Sequence, residues 1–269
     1  MSPKTIPLSL GAIAKLIDHS LLHPTMTDAD VSEGLAIARK YDVAAACIKP
    51  YHIPLARQAL AGSSVRICAV VGFPHGNSTT SIKVAEAKEA MQTGAHEIDM
   101  VVNVGKVLGG DWDYVRDEIA AVNRTVTSIG IGGAGDGQTG ILKVIFENDY
   151  LGDKHIVELC RICTELGVAY VKTSTGYGFV KQPGGMYSYK GATAPHLKLM
   201  RASCGPDVKI KAAGGVRTLD EIVYVMTLGA SRVGATATVA IMEEARQRGV
   251  TEVEAEFPVK ELVAEGGTY

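Results

Sequence analysis

Two lysines and an aspartate, Lys172, Lys211 and Asp99, have the types and spacing for chemistry: each sits at an alternating position of a short apolar run. A free lysine has a pKa of about 10.4, so only about one amine in a few thousand is unprotonated at neutral pH. Burial and a second ammonium nearby both disfavour the charged form. A depression of about three pKa units requires about 4 kcal/mol of differential destabilisation, which these two effects can supply. The amine so released can attack an aldehyde, form an imine and use it as an electron sink for carbon–carbon bond cleavage. A carboxylate on a nearby strand can move protons to and from substrate hydroxyls, directly or through water.

The elements that would position these groups follow from the apolar pattern. Eight runs read as strands: Leu16–His19, Val43–Ile48, Val65–Val71, Glu97–Asn103, Ile141–Glu147, Ala169–Thr173, Val208–Ala212 and Ser231–Gly234. Helical patterns lie between them, at Ala29–Tyr41, Ser81–Thr93, Asp153–Leu166, Thr218–Leu228 and from Gly234 towards Arg248. Thr218 and Glu221 have capping-box spacing, and Gly229 stops the same helix. Strands alternating with helices predict an α/β fold with a parallel sheet, either a closed (β/α)₈ TIM barrel or a doubly wound open sheet. Strands covered by helices on both faces read as continuous apolar runs. Here Glu97 and Asp99, Lys143 and Glu147, Tyr170 and Lys172, and Lys209 and Lys211 alternate with apolar residues. Four strands aiming charge at one side favour a barrel lumen. Lys143, Glu147, Glu97 and Lys209 read equally well as buried pairs that fill the barrel. The length of 269 residues suits one such domain, 1–269, with an N-terminal helical extension over 1–15 and a mobile C-terminal tail over 255–269.

Phosphate capture has a separate signature. Gly214 and Gly215 follow the seventh strand, and Gly234 and Thr236 close the eighth. Bared backbone amides at these two loops form the phosphate cradle of many barrels. Thr173–Gly176 adds hydroxyl and amide donors. The run 130–140 contains GxGxxG twice, but it follows a helix and precedes a strand, the reverse of a dinucleotide fingerprint, and reads as a flexible surface loop. The seven histidines form no HExxH or HxH pairing, so no metal is expected, and no cofactor. Cys160 and Cys163 form a lone CxxC within a periodic helix and read as core. A formal charge of -2 argues against nucleic-acid or membrane partners. Without a signal pattern or a long apolar run, a cytoplasmic protein is expected.

The runs Gly72–Thr80 (GFPHGNSTT), Glu97–Asn103 (EIDMVVN), Val171–Gly176 (VKTSTG) and Lys211–Arg217 (KAAGGVR) resemble the deoxyribose-phosphate aldolase family of class I aldolases. The resemblance extends from Ile17–Ser20 to the terminal tyrosine. It implies a lyase of deoxyribonucleotide catabolism that reversibly cleaves 2-deoxy-D-ribose 5-phosphate to acetaldehyde and D-glyceraldehyde 3-phosphate, acting on small sugar phosphates and aldehydes as a homodimer or larger homo-oligomer. By the same resemblance Lys172 is the Schiff-base lysine, Lys211 the amine that tunes it and Asp99 the proton-transfer carboxylate. Tyr269 is a catalytic tyrosine on a mobile tail. Asp18 binds a substrate hydroxyl or structures the site, Cys47 lies near the substrate or is simply a small buried hydrophobe, and Thr175, Gly214, Gly215, Gly234 and Thr236 bind substrate. The alternatives are a phosphosugar isomerase using Asp99 as base, or another Schiff-base aldolase on the same barrel. Two features depart from the family pattern: Tyr177 stands where some relatives have a phosphate-holding lysine, and Gly178–Lys190 is an insertion, whose Lys181 or Lys190 could replace the lost cation.

Overall fold

The computed structural model describes residues 4–129 and 139–260. All eight expected strands are present, each within three residues of its expected limits: β1 (Ile17–Leu21), β2 (Ala45–Ile48), β3 (Arg66–Val71), β4 (Glu97–Val101), β5 (Ile141–Ile145), β6 (Tyr170–Lys172), β7 (Lys209–Ala213) and β8 (Ala230–Ala235). They pair in parallel in chain order, and β8 closes back onto β1 to make a barrel. The period-two reading of the strands holds. Ile98, Met100, Leu142, Val144, Val171, Ile210 and Ala212 pack outwards into the core shared with the helices. Their alternating neighbours face the lumen, where Ala45, Cys47, Cys68 and Val70 form a small separate apolar cluster.

The expected helices appear as Asp28–Lys40, Thr80–Thr93, Asp153–Glu165, Leu219–Thr227 and Thr238–Gln247. The Thr218–Glu221 capping box forms: Thr218 Oγ1 accepts from the Glu221 N–H at 3.2 Å, and Glu221 Oε2 accepts from the Thr218 N–H at 2.9 Å. Three further helices, to which the sequence reading gave no bounds, complete the outer ring, at Ile53–Ala59, Trp112–Ser128 and Ala194–Ser203. Trp112–Ser128 buries Val115, Ile119, Val122 and Val126, a clear helical stripe. Its Glu118 is buried too, held by Lys83 Nζ at 2.8 Å and by the Asn103 N–H at 3.0 Å.

The chain termini correct the sequence reading. Thr5–Leu8 is a strand preceding the short helix Leu10–Ala14, and it pairs antiparallel with Ala255–Pro258. The extension is therefore not wholly helical, and the supposed mobile tail begins as an ordered strand. Leu8 and Phe257 explain why, since both side chains bury against the barrel. Most of the glycine-rich run, 130–138, and the tail 261–269 lie outside the described residues, as does Tyr269. Among the described residues no helix is long and apolar enough to cross a membrane.

Candidate active site

Strand register decides what meets in the lumen. Lys211 on β7 is the register partner of Lys172 on β6, and Asp99 on β4 that of Lys143 on β5. Lys172 Nζ and Lys211 Nζ each donate to Asp99 Oδ2 at 2.8 Å, so the two nitrogens can be no further apart than the sum of those contacts. Lys143 Nζ takes the other oxygen, Oδ1, at 2.8 Å. Lys211 also donates to Asp18 at 2.5 Å, and Arg232 ties Asp18 to Glu97. Lys143, Lys211, Asp18, Asp99 and Glu97 are buried, and Lys172 is 3% exposed.

Such burial would neutralise isolated charges, so the network must hold them. Burial raises the Asp99 carboxyl, but Lys143, Lys172 and Lys211 overcome this and hold it well below the carboxylate range. Asp18 is likewise pulled down against burial by Lys211, Lys143 and Arg232. Burial alone would discharge Lys211, yet Asp18 and Asp99 lift it above the usual lysine value. Lys211 is therefore a fixed ammonium. The sequence reading of Lys143 and Glu97 as a buried pair holds, at 2.7 Å, and Lys143 also grips Asp99 directly. Its reading of Lys209 was wrong: that side chain is exposed at the amino-terminal mouth, over the Tyr170 ring. Lys209 is the first residue of β7, where the lumen already opens to solvent.

Above this network, at the carboxyl ends of the strands, lies a cavity of about 390 Å³. Lys172, Lys211, Asp18, Cys47, Thr175, Gly214, Gly215, Gly234 and Thr236 all line it, and Asp99 lies directly beneath. Of the predicted site residues only Tyr269 is not placed here, being outside the described residues. Glycine is required at one of these positions and favoured at a second. Gly214 has φ +88°, and a Cβ there would lie 2.9 Å from the Gly191 Cα. At Gly234 a Cβ would press on Ala213 at 3.1 Å, beside the Lys211 stem. Thr175 is less available than expected, because its N–H and hydroxyl are both given to Glu147, at 3.0 and 2.5 Å.

Glu147 was read in the sequence only as part of a buried pair filling the barrel. It is buried just beyond β5, in left-handed backbone (φ 60°), and clamps the loop that follows Lys172. Burial pushes its carboxyl up to about 7, against the Thr175 hydrogen bonds. Arg232 was missed, although it shares the lumen parity of Gly234 and could have been found from that. The insertion forms a hairpin, Val180–Lys181 with Tyr187–Ser188. Asp149 pins its far end by accepting from the Lys190 and Gly191 N–H groups at 2.5 and 3.0 Å. The hairpin brings Phe179 and Tyr189 to the cavity, stacked edge to face, and the Tyr189 ring packs on Gly214. Neither Lys181 nor Lys190 lines the cavity.

Two groups of donor atoms could hold a metal, Cys47, Cys68 and Asp99, and Asp18, Cys68 and Glu97. The Lys143 ammonium already sits among them, 2.8 Å from Asp99, 2.7 Å from Glu97 and 3.1 Å from Cys68 Sγ. A divalent cation would have to displace it.

The DeoC/LacD family aldolase model matches residues 12–251, the barrel strands with the lysine–carboxylate network and the glycine loops. The chain belongs to this aldolase family. Deoxyribose-phosphate aldolase of Rhodopirellula baltica is 47% identical over 236 residues, 88% of this chain and 90% of its own. That of Treponema denticola is 40% identical, over 85% of this chain and 97% of its own. Among solved structures, the tetrameric deoxyribose phosphate aldolase of Aeropyrum pernix superposes with a TM-score of 0.73 at 27% identity, covering 89% of this chain and 93% of that one. The protein is an aldolase, a carbon–carbon lyase, and the isomerase alternative is set aside. The two lysines bridged by Asp99 at the cavity floor belong to an aldolase barrel.

Proposed function

We propose that this aldolase reversibly cleaves 2-deoxy-D-ribose 5-phosphate to acetaldehyde and D-glyceraldehyde 3-phosphate through an imine on Lys172. The observation that carries the reading is the sharing of Asp99 Oδ2 by Lys172 and Lys211 on the floor of a cavity whose far wall is glycine-bared backbone. Lys172 is the least buried of the lumen lysines and the one at a strand end, so its amine is the one a sugar aldehyde reaches.

Lys172, having given up a proton, adds to the C1 aldehyde. Loss of water from the carbinolamine leaves the protonated imine. The C3 hydroxyl then loses its proton through water to the Asp99 side of the site, and the C2–C3 bond breaks with its electron pair drawn into the imine. Glyceraldehyde 3-phosphate departs, leaving an enamine. Protonation at C2 and hydrolysis release acetaldehyde and restore Lys172. Lys211 stays charged throughout and favours an electron-rich enamine beside it. Asp18 holds Lys211 in place. Cys47 and Thr175 shape the wall, while the backbone at Gly214, Gly215, Gly234 and Thr236 receives the phosphate.

Tyr269 is assigned to proton transfer at the enamine carbon. In support, Lys260 Nζ lies 3.7 Å from Asp220 in the first turn of Leu219–Thr227, at the catalytic end of the barrel. The nine residues beyond can span up to ~30 Å. The chain is read as one barrel domain working in the cytoplasm as a homo-oligomer, a dimer or larger. The tetrameric relative supports assembly.

The test is trapping. Incubation with acetaldehyde and reduction by borohydride should add one ethyl group per chain at Lys172, and Lys172→Ala should abolish turnover while folding normally. An adduct confined to Lys211, or no adduct at all, would overturn the assignment.

A further inference from the structure

The barrel has a second charged opening, at the amino-terminal ends of its strands, which the aldolase reaction does not use. A recess of about 570 Å³ lies there, lined by Lys15, Arg66, Lys209 and Arg232, with Ser64 and Tyr170 between them and Asp207 as its one carboxylate. Four cations and one acid line this mouth, with Asp42 paired to Lys15 beside it, so it carries a local positive excess although the chain as a whole carries -2.

The cations differ in how far they are already engaged. Lys15 is paired with Asp42 at 2.9 Å and donates to Ser64 at 2.6 Å. Arg232 is held by Asp18 and Glu97 and is 11% exposed. Arg66 makes a single long contact, to Glu97 at 3.4 Å, and its side chain is 37% exposed. A guanidinium has five N–H donors, so most of those on Arg66 have no acceptor among the described residues. Lys209 forms no ion pair among the described residues and lies 5.7 Å from the centre of the Tyr170 ring. The imbalance continues inwards. Arg66, Arg232, Lys143, Lys211 and Lys172 share three carboxylates, Glu97, Asp18 and Asp99. The lumen therefore has more cations than carboxylates, and at the amino-terminal end the surplus reaches solvent at Arg66.

We propose that this mouth is a binding site for a small oxyanion of the phosphate class, held by the free donors of Arg66 and by Lys209, with Arg232 and Lys15 at its edges. A planar guanidinium fork from β3 and an ammonium from β7, on opposite walls of the mouth, can close on a tetrahedral dianion between them, and a partly enclosed recess strengthens such charge-assisted bonds. The site is separate from the catalytic cavity, which opens at the opposite end of the same barrel.

Alanine methyls report on the two ends independently, Ala44 and Ala169 at this mouth, Ala213 and Ala235 at the catalytic cavity. The experiment is a titration of the full chain, labelled at alanine methyls, with inorganic phosphate at constant ionic strength. Saturable shifts of Ala44 and Ala169 are expected in the wild type. In R66Q/K209Q they should weaken at least about tenfold, while the Ala213 and Ala235 response stays intact. The Gln at 66 can still donate to Glu97, so the barrel floor is kept. Wild-type Ala44 and Ala169 that do not move would overturn the proposal, as would shifts of equal affinity in the variant.

Discussion

Replacing Glu147 by glutamine should stabilise the protein, and only above neutral pH. The Glu147 side chain is buried and, among the described residues, accepts from Thr175 alone, through its N–H and its hydroxyl. Burial raises its carboxyl from 4.5 to about 7. A carboxyl raised on folding binds its proton more tightly in the native state, so its contribution is greatest below 4.5 and is lost as pH rises through 7. At ~1.36 kcal/mol per pKa unit, ionising it in place costs about 3 kcal/mol at pH 8. Glutamine resembles the protonated acid. Its carbonyl can accept from the Thr175 N–H, and its amide can donate to the Thr175 hydroxyl oxygen. Urea denaturation of both proteins at pH 5 and pH 8 should show near-equal stability at pH 5. At pH 8 the variant should gain 1–3 kcal/mol, the lower end allowing for imperfect hydrogen bonding. A difference that is constant between the two pH values, or a variant that is weaker at pH 8, would refute the argument that this carboxylate is held in place against its own desolvation.

Two further outcomes follow from the same structure. Lys83→Met should cost roughly 3–5 kcal/mol, because Glu118 and the Val101 carbonyl lose their buried ammonium; Lys83→Met with Glu118→Gln should recover part of that loss, both read from urea midpoints. Tyr177→Lys should raise the ratio of kcat/KM on deoxyribose 5-phosphate to that on deoxyribose by about tenfold, the worth of one added charge-assisted contact; an unchanged ratio would show that Arg217, which also lines the cavity, already carries the phosphate charge.

The sequence made the barrel and its charged lumen legible because both rest on a local rule. Side chains alternate along a strand, so Asp99, Lys172 and Lys211 had to face the same way once their runs were strands. Register is a different kind of fact. That Lys143 would grip Asp99 and that Arg232 would bridge Asp18 to Glu97 depends on how far each strand slides past its neighbours, which no single run encodes. Lys209 was misjudged for a related reason: parity says which side a residue faces, but not how deep it lies, and at the first position of β7 the lumen has become a solvent-filled mouth. The insertion hid its role in the same way, since Phe179 and Tyr189 read as loop residues until Asp149 pins the hairpin over Gly214. What register adds also changes the chemistry. Two lysines alone suggested mutual repulsion as the origin of reactivity. The folded lumen instead fixes Lys211 as a cation between two carboxylates and leaves Lys172 at the rim, its one acceptor among the described residues a carboxylate oxygen shared with that cation. Five cations share three carboxylates here, so a further acid in the lumen would give Lys172 an acceptor of its own and remove this arrangement; the shortage of carboxylates is what keeps that lysine on a shared oxygen at the rim.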